Sequence, residues 1–271
     1  MSEAPTSRGE ETGTALYVYG VVPSSTSADL FAGVEGIDSQ GLVQLVVSGE
    51  LAAITSSVPL DDFDEAAIER NVRDPAWLEE KVRAHDRVLE AALAGGTVVP
   101  FRFGTIYRSE AQVRKGLSER SELAKTLARL DGTVELGVKA FLDRGAIRAR
   151  LLSQQGLEDD SPSTGRAYMQ RRQLDRRLDE EVANLAADWS HESHLRLAGA
   201  ALDARSNKLP QPEVTGDDRD VVLNGAYLVR GAETENFRRA LAELEHSHAG
   251  ELVFQLTGPW PPYNFAEVEE E

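Results

Sequence analysis

The 271-residue chain is predicted to be an α+β protein of two domains. Three observations carry that prediction. Strand and helix signals recur in the order β-α-β-β-α-β over residues 133–258. The same order, with its first helix short or missing, runs through residues 15–108. The length exceeds the ~100–200 residues usual for one domain, and 41% hydrophobic residues suffice for a core in each half. The C-terminal half therefore reads as ferredoxin-like. The N-terminal half reads as a looser ferredoxin-like α/β sandwich, and a helix joins the two. The expected parts are a disordered acidic arm (1–13), an N-terminal α+β domain (14–108) and a linking helix (109–131). A ferredoxin-like domain (132–258) and a Pro/aromatic tail with an acidic end (259–271) follow.

Each element has its own signal. ALYVYGVV (15–22) is continuously apolar and ends at Pro23, as a buried strand does. Residues 24–41 are rich in Ser, Gly and Asp, with room for a short helical turn near Leu30. LVQLVVSGELAAITSSVP (42–59) reads as a hairpin turning at Ser48-Gly49, with strands from Leu42 to Val47 and from Leu51 to Thr55. Asp74 followed by Pro75 opens a helix. Its apolar face is Leu78, Val82, Leu89 and Ala92, with His85 on the same side, and Gly95-Gly96 ends it. A short strand, Thr97 to Val99, leads into the loop PFRFGT (100–105). Ser109 and Gln112 have capping-box spacing for a helix to about Leu130.

In the second half, TVELGVKAFL (133–142) alternates, with Val134, Leu136, Val138, Ala140 and Leu142 on one face. GLEDDSPST (156–164) is a loop by composition. The stripe Leu174, Leu178, Val182, Leu185 and Trp189 predicts a helix from about Gly165 to Asp188. A strand is expected from Leu195 to about Leu202, and DVVLNGAYLVR (220–230) is a further strand. A helix with Phe237, Leu241 and Leu244 on one face stops near Gly250, and ELVFQLTG (251–258) is the last strand.

Charge narrows the functional classes. Lys and Arg number 29 against 46 Asp and Glu, a formal net charge of -17. Such a field repels nucleic-acid backbones and anionic membranes, so neither is expected as a partner. Cys is absent, which removes disulfides, thiolate metal sites and Cys nucleophiles. No apolar run approaches the ~20 residues of a membrane span. The polar N-terminus lacks a signal-peptide core, and the chain is expected in the cytoplasm. There is no GxGxxG, no GxxxxGK[ST] and no GxSxG. No catalytic residue, metal or cofactor is predicted.

Several residues remain candidates. His85, on an apolar helix face, reads as a buried histidine with a local hydrogen bond rather than a catalytic one. His191 with His194, and His246 with His248, have spacing for a shared metal but lack the third and fourth ligands. GRAYMQRRQLDRR (165–177) concentrates arginine on an acidic chain. Arg172–Asp175, Arg176–Glu180 and Arg177–Glu181 have helical pairing distance, so a salt-bridged exposed face is expected. The remaining role for Arg171, Arg172 and Arg176 is a protein-contact surface. In TGPWPPYNF (257–265), Trp260, Tyr263 and Phe265 stand among prolines, either as a plug over the chain's own core or as interface anchors. Pro100, Arg102, Phe103 and Gly104 mark the 100–105 loop, whose plainest role is a structural turn; Arg102 and Phe103 are also candidate contact residues.

Four stretches together resemble the gas vesicle protein F/L family: ALYVYGVV, VVPFRFGTIY (98–107), GRAYMQRR (165–172) and LTGPWPPYNF (256–265). The resemblance spans about residues 14–265 in the right order and does not separate F from L. It implies a two-domain α+β fold with one ferredoxin-like domain. It also implies a non-enzymatic accessory or minor structural protein of gas vesicles, the gas-filled, protein-walled buoyancy organelles. Such proteins are thought to assist shell assembly by contacting the small hydrophobic shell protein and other accessory proteins. The acidic N-terminal arm lies outside the shared pattern. The competing reading is a small-molecule-binding sensor or enzyme, with His85, Arg102 and Tyr107 lining a pocket. RNA binding through the Arg-rich helix is a third, disfavoured by the net charge.

Overall fold

A computed structural model describes residues 13–156, 165–210, 219–248 and 250–266. It is a mixed α/β structure with two antiparallel sheets. The chain divides into two compact units. One is built from residues up to Gly132 together with those from Pro261 onward, and the other from Thr133–Trp260.

The first unit is organised around β1 (Thr14–Pro23), which is buried along nearly its whole length. β2 (Val43–Ser48) and β3 (Leu51–Pro59) form the expected hairpin. β4 (Val99–Pro100) and β5 (Ile106–Tyr107) are two residues each and both pair with β1, giving the order β2-β3-β1-β4. A strand buried on both faces needs cover on both. On one side, Tyr17, Tyr19 and Val22 pack with Ile54, Val88 and Leu89, and α3 (Pro75–Gly95) supplies the last two. Asp74 caps α3 through the Ala76 N–H at 3.0 Å. Gly20 permits the closest approach: a side-chain carbon there would lie 2.6 Å from the Val99 carbonyl oxygen. Between β3 and α3, α1 (Leu60–Phe63) and α2 (Glu65–Asn71) carry Asp61, Asp62 and Glu65 in their first turns. The Asp64 carboxylate caps α2 through the Ala67 N–H at 2.7 Å.

The other face of the first sheet is covered by a pair of helices, which corrects the single linking helix expected over 109–131. α4 (Glu110–Glu119) ends at Arg120, whose backbone leaves the helical region, and α5 (Glu122–Arg129) restarts. The apolar spacing explains the break. Val113 and Leu117 are four apart, as are Leu123 and Leu127, but six residues separate the pairs and one straight helix cannot present both to the sheet. Both helices belong to the first unit and pack on its strands.

In the second unit, β6 (Thr133–Leu142) alternates as read: Leu136, Val138, Ala140 and Leu142 are buried in the core. The sheet order is β7-β8-β6-β9, with β7 (Asp203–Ser206), β8 (Asp220–Arg230) and β9 (Leu252–Trp260), all antiparallel. α6 (Arg144–Gln154), capped by Asp143, is an element the sequence reading left unassigned. Ile147, Leu151 and Leu152 bury it. α7 (Gly165–Ala198) is longer than predicted, and the strand expected from Leu195 is its last turn. The buried residues Leu178, Val182, Ala186, Ser193 and Leu197 continue one helical stripe through that region. Fully burying Leu197 is worth about 2 kcal/mol, enough to hold the helix where local pattern favoured a strand. α8 (Thr234–Ser247) buries Phe237, Leu241 and Leu244 as expected.

The tail also departs from expectation. β9 runs through Trp260, opposite Glu135 on β6. The chain then joins the first unit, where Tyr263–Phe265 form a 3-10 turn. The acidic arm and the acidic end lie outside the described residues.

Candidate functional site

The marked stretches of the first unit meet at one joint. Tyr17 and Tyr19 alternate on one face of β1, at a ring separation of 4.9 Å. A buried tyrosine needs a partner for its hydroxyl, and each has one. The Gly104 N–H donates to Tyr17 Oη at 3.1 Å, and Tyr17 Oη is hydrogen-bonded to His85 Nδ1 at 2.8 Å. The Ile37 N–H donates to Tyr19 Oη at 2.6 Å, and Tyr19 Oη is hydrogen-bonded to Ser56 Oγ at 2.7 Å. Gly104 can present its N–H there because its φ of +86° suits glycine.

His85 is 2% exposed; its Nδ1 is hydrogen-bonded to Tyr17 Oη, and its buried Nε2 meets no hydrogen-bond partner among the described residues. Burial pushes its imidazole down to about 4. The same desolvation raises the Tyr17 and Tyr19 hydroxyls above the usual tyrosine value. Phe103, from the 100–105 loop, stands 6.0 Å from the His85 ring, and Tyr263, from the tail, stands 6.3 Å from it. The Tyr263 O–H donates to Asp86 Oδ1 at 3.1 Å. Desolvation raises the Asp86 carboxyl, and the bond from Tyr263 opposes that rise. Phe265 is fully buried, and its carbonyl accepts from Arg129 at the end of α5.

Tyr263 and Phe265 are seated in the first unit, whereas Trp260, at the end of β9, is 39% exposed. The pocket suggested for His85, Arg102 and Tyr107 does not form. Tyr107 pairs with Leu16, on the opposite face of β1 from Tyr17, and its ring lies against Gly116 of α4. Arg102 is exposed, and its carbonyl accepts from Thr105 Oγ1 at 2.7 Å. Phe103 is half-buried in the joint.

The Arg-rich face of α7 pairs differently from expectation. Arg148, on α6, meets Asp175 at 2.8 Å and Asp179 at 2.6 Å, and Arg171 meets Asp175 at 3.4 Å. The expected partner of Arg172 is thus taken across the helix pair. Among the described residues Arg172, Arg176 and Arg177 make no ion pair, and Tyr168 and Met169 beside them are exposed.

His194 and His248 serve packing, whereas His191 and His246 are exposed. His194 Nδ1 is 3.0 Å from the Tyr227 hydroxyl, and His248 stacks 4.8 Å from Trp189. His191 and His194 line an open groove of about 440 Å³ with Ser190, Leu209 and Val222. Among the described residues no cluster of three or more His, Asp or Glu could hold a metal ion, and no helix is long and apolar enough to cross a membrane. The sequence reading missed Asp86, Arg129 and the Tyr17–His85 bond. The available signal was two polar-tipped rings alternating in an otherwise aliphatic strand.

What these features define is a two-unit, antiparallel α/β protein whose C-terminal aromatics are built into its first unit. Comparison with known proteins then places it. The family model of the gas vesicle synthesis protein GvpL/GvpF matches residues 15–267, and the chain belongs to that family. It is 33% identical to gas vesicle protein L of Streptomyces sp. (strain CB03234), over 94% of each chain. It is also 33% identical to gas vesicle protein F of the same strain, over 93% of this chain and 100% of the relative. Identity therefore does not divide the two types. The crystal structure of GvpF from Anabaena sp. PCC7120 shares the fold, with a TM-score of 0.68 at 20% identity over 95% of this chain and 98% of that one.

Proposed function

We propose that this chain is a non-enzymatic accessory component of gas vesicles, in the cytoplasm and at the vesicle. It assists nucleation or assembly of the shell by binding the small hydrophobic shell protein and other accessory proteins. The observation that carries this reading is the family match along almost the whole described chain, through both units. Two physical features support it. The net charge of -17 keeps a partner-bound complex soluble. The chemistry of the joint is spent internally: each hydroxyl of Tyr17, Tyr19 and Tyr263 is engaged by the chain's own groups. We also read the second unit as ferredoxin-like, supported by its antiparallel order β9-β6-β8-β7. The contact surfaces proposed are Arg172 and Arg176 on α7, with Arg171 held by Asp175 at their edge, and Trp260.

The test is co-expression of the full chain with the shell protein, followed by affinity capture. The shell protein is expected to co-purify in soluble form, where alone it sediments. Failure to retain it through the full chain, with other accessory proteins also present, would sink the binding role.

A further inference from the structure

Exposed sheet edges are strand templates, and proteins protect them with charge, brevity or cover. Among the described residues, three of the four sheet edges are protected. At β2, Arg114 donates to the Val47 carbonyl, and Glu35 bridges to Leu42. β4 and β5 are two residues each. β7 is four residues and carries Asp203 and Arg205. β9 is different. It is nine residues long and pairs only with β6 among the described residues.

The register identifies its free groups. The Asp143 N–H donates to the Glu251 carbonyl at 2.9 Å, just beyond the Leu142/Leu252 pair. Hydrogen-bonded pairs then alternate: Phe141/Val253, Lys139/Gln255 and Gly137/Thr257 face one another. Phe254 and Leu256 therefore direct N–H and C=O away from β6, and no described group meets them. Leu252 is spoken for, since its N–H donates to the His248 carbonyl at 3.1 Å. Residues 252–266 carry no charged side chain, in a chain that is 28% charged. Val253 and Trp260, at the two ends of the edge, are 38% and 39% exposed.

We propose that the outer edge of β9, at Phe254 to Leu256, takes up an extended, uncharged segment of a partner protein as an added strand. The backbone groups supply the hydrogen bonds. The partner's alternate side chains lie beside Val253 and Gln255 on one face and beside Phe254 and Leu256 on the other, so apolar and Thr residues suit both. A charged strand would have no counter-charge along this edge. A second copy of this chain is the poorer occupant, because two molecules of net charge -17 repel as they approach. The proposal rests on the assembly reading above and gives it a surface.

The experiment uses the full chain co-expressed with the small hydrophobic shell protein. In Leu256→Pro, the outward N–H is removed and the ladder to β6 is untouched. In the double variant Val253→Lys with Gln255→Lys, the backbone is kept and charge is placed beside the added strand. Capture is expected to fall at least about tenfold in both variants, and amide exchange at Phe254 and Leu256 to slow at least about tenfold in the wild-type complex, with Val253 and Gln255 unchanged. If circular dichroism shows Leu256→Pro misfolded, the double lysine variant decides. Undiminished capture by the double variant, with no slowing at Phe254 and Leu256, overturns the edge and leaves the assembly reading standing. No capture by the wild-type chain overturns both. Slowing at those amides in the chain alone, as a concentration-dependent dimer, overturns the partner strand in favour of self-pairing.

Discussion

Replacing Phe265 with Ala lowers the stability of the first unit by about 3–5 kcal/mol, the cost of emptying a fully buried phenylalanine site. The reason lies in how the tail is held. Pro261 and Pro262 are buried, Tyr263 donates to Asp86, and the Phe265 carbonyl accepts from Arg129. The ring is the apolar end of that anchorage. Proline lowers the entropy lost when such a segment is fixed, so most of the burial appears as net stability. A denaturant titration followed by circular dichroism reads the loss directly. A tail that waits for a partner would behave otherwise, and a loss below about 1 kcal/mol, as for a surface substitution, would show that Phe265 contributes little to the fold.

The second large effect is on the pH dependence of stability, through His85. Its folded value is pushed by burial from 6.5 down to about 4. The unfolded chain therefore binds more protons than the folded one between those values, and stability falls as pH is lowered. The contribution is fully present above the unfolded value and is lost progressively down to about pH 4, up to about 3 kcal/mol in total. Asp86 acts with the opposite sign. Its carboxyl is raised in the folded state, so its protonation favours the fold at the acid end of the range. The clean window for His85 is thus the upper part, just below 6.5. In His85→Phe the Tyr17 hydroxyl loses its side-chain hydrogen-bond partner, which costs about 1–3 kcal/mol at neutral pH. The difference in stability between wild type and variant is expected to shrink steadily from pH 7 to pH 5, measured by denaturant titration at each pH. A constant difference would mean that His85 does not titrate on unfolding in that range.

Much of the fold was legible because burial and period agreed. β1, the hairpin, β6 and α8 each carry an apolar pattern that burial follows, while α3 was legible from its cap and stop but buries Ala84, Val88, Leu89 and Ala92 around His85, leaving Leu78 and Val82 part-exposed. The failures came where tertiary cover overruled local pattern. Leu195 to Leu202 looked like a strand, but buried Ser193 and Leu197 complete the stripe of α7. The 109–130 segment looked like one helix until its apolar spacing slipped between Leu117 and Leu123. The joint was only half legible. The bland reading of His85 matches its burial and its bond to Tyr17, but nothing local announces that Tyr263 and Phe265 return to the unit that contains it. The arginine pairs failed for a related reason. Asp175 is within reach of Arg172 along the helix, yet Arg148 on a neighbouring helix takes it.

The role in assembly rests on a simple expectation in a cell that makes gas vesicles. Removing this chain from the set of vesicle proteins, and restoring it from a plasmid, is read out by counting buoyant vesicles in the electron microscope. Loss of vesicles on removal, and recovery with the full chain, is the predicted result. Normal vesicles in normal numbers without the chain would contradict an assembly role.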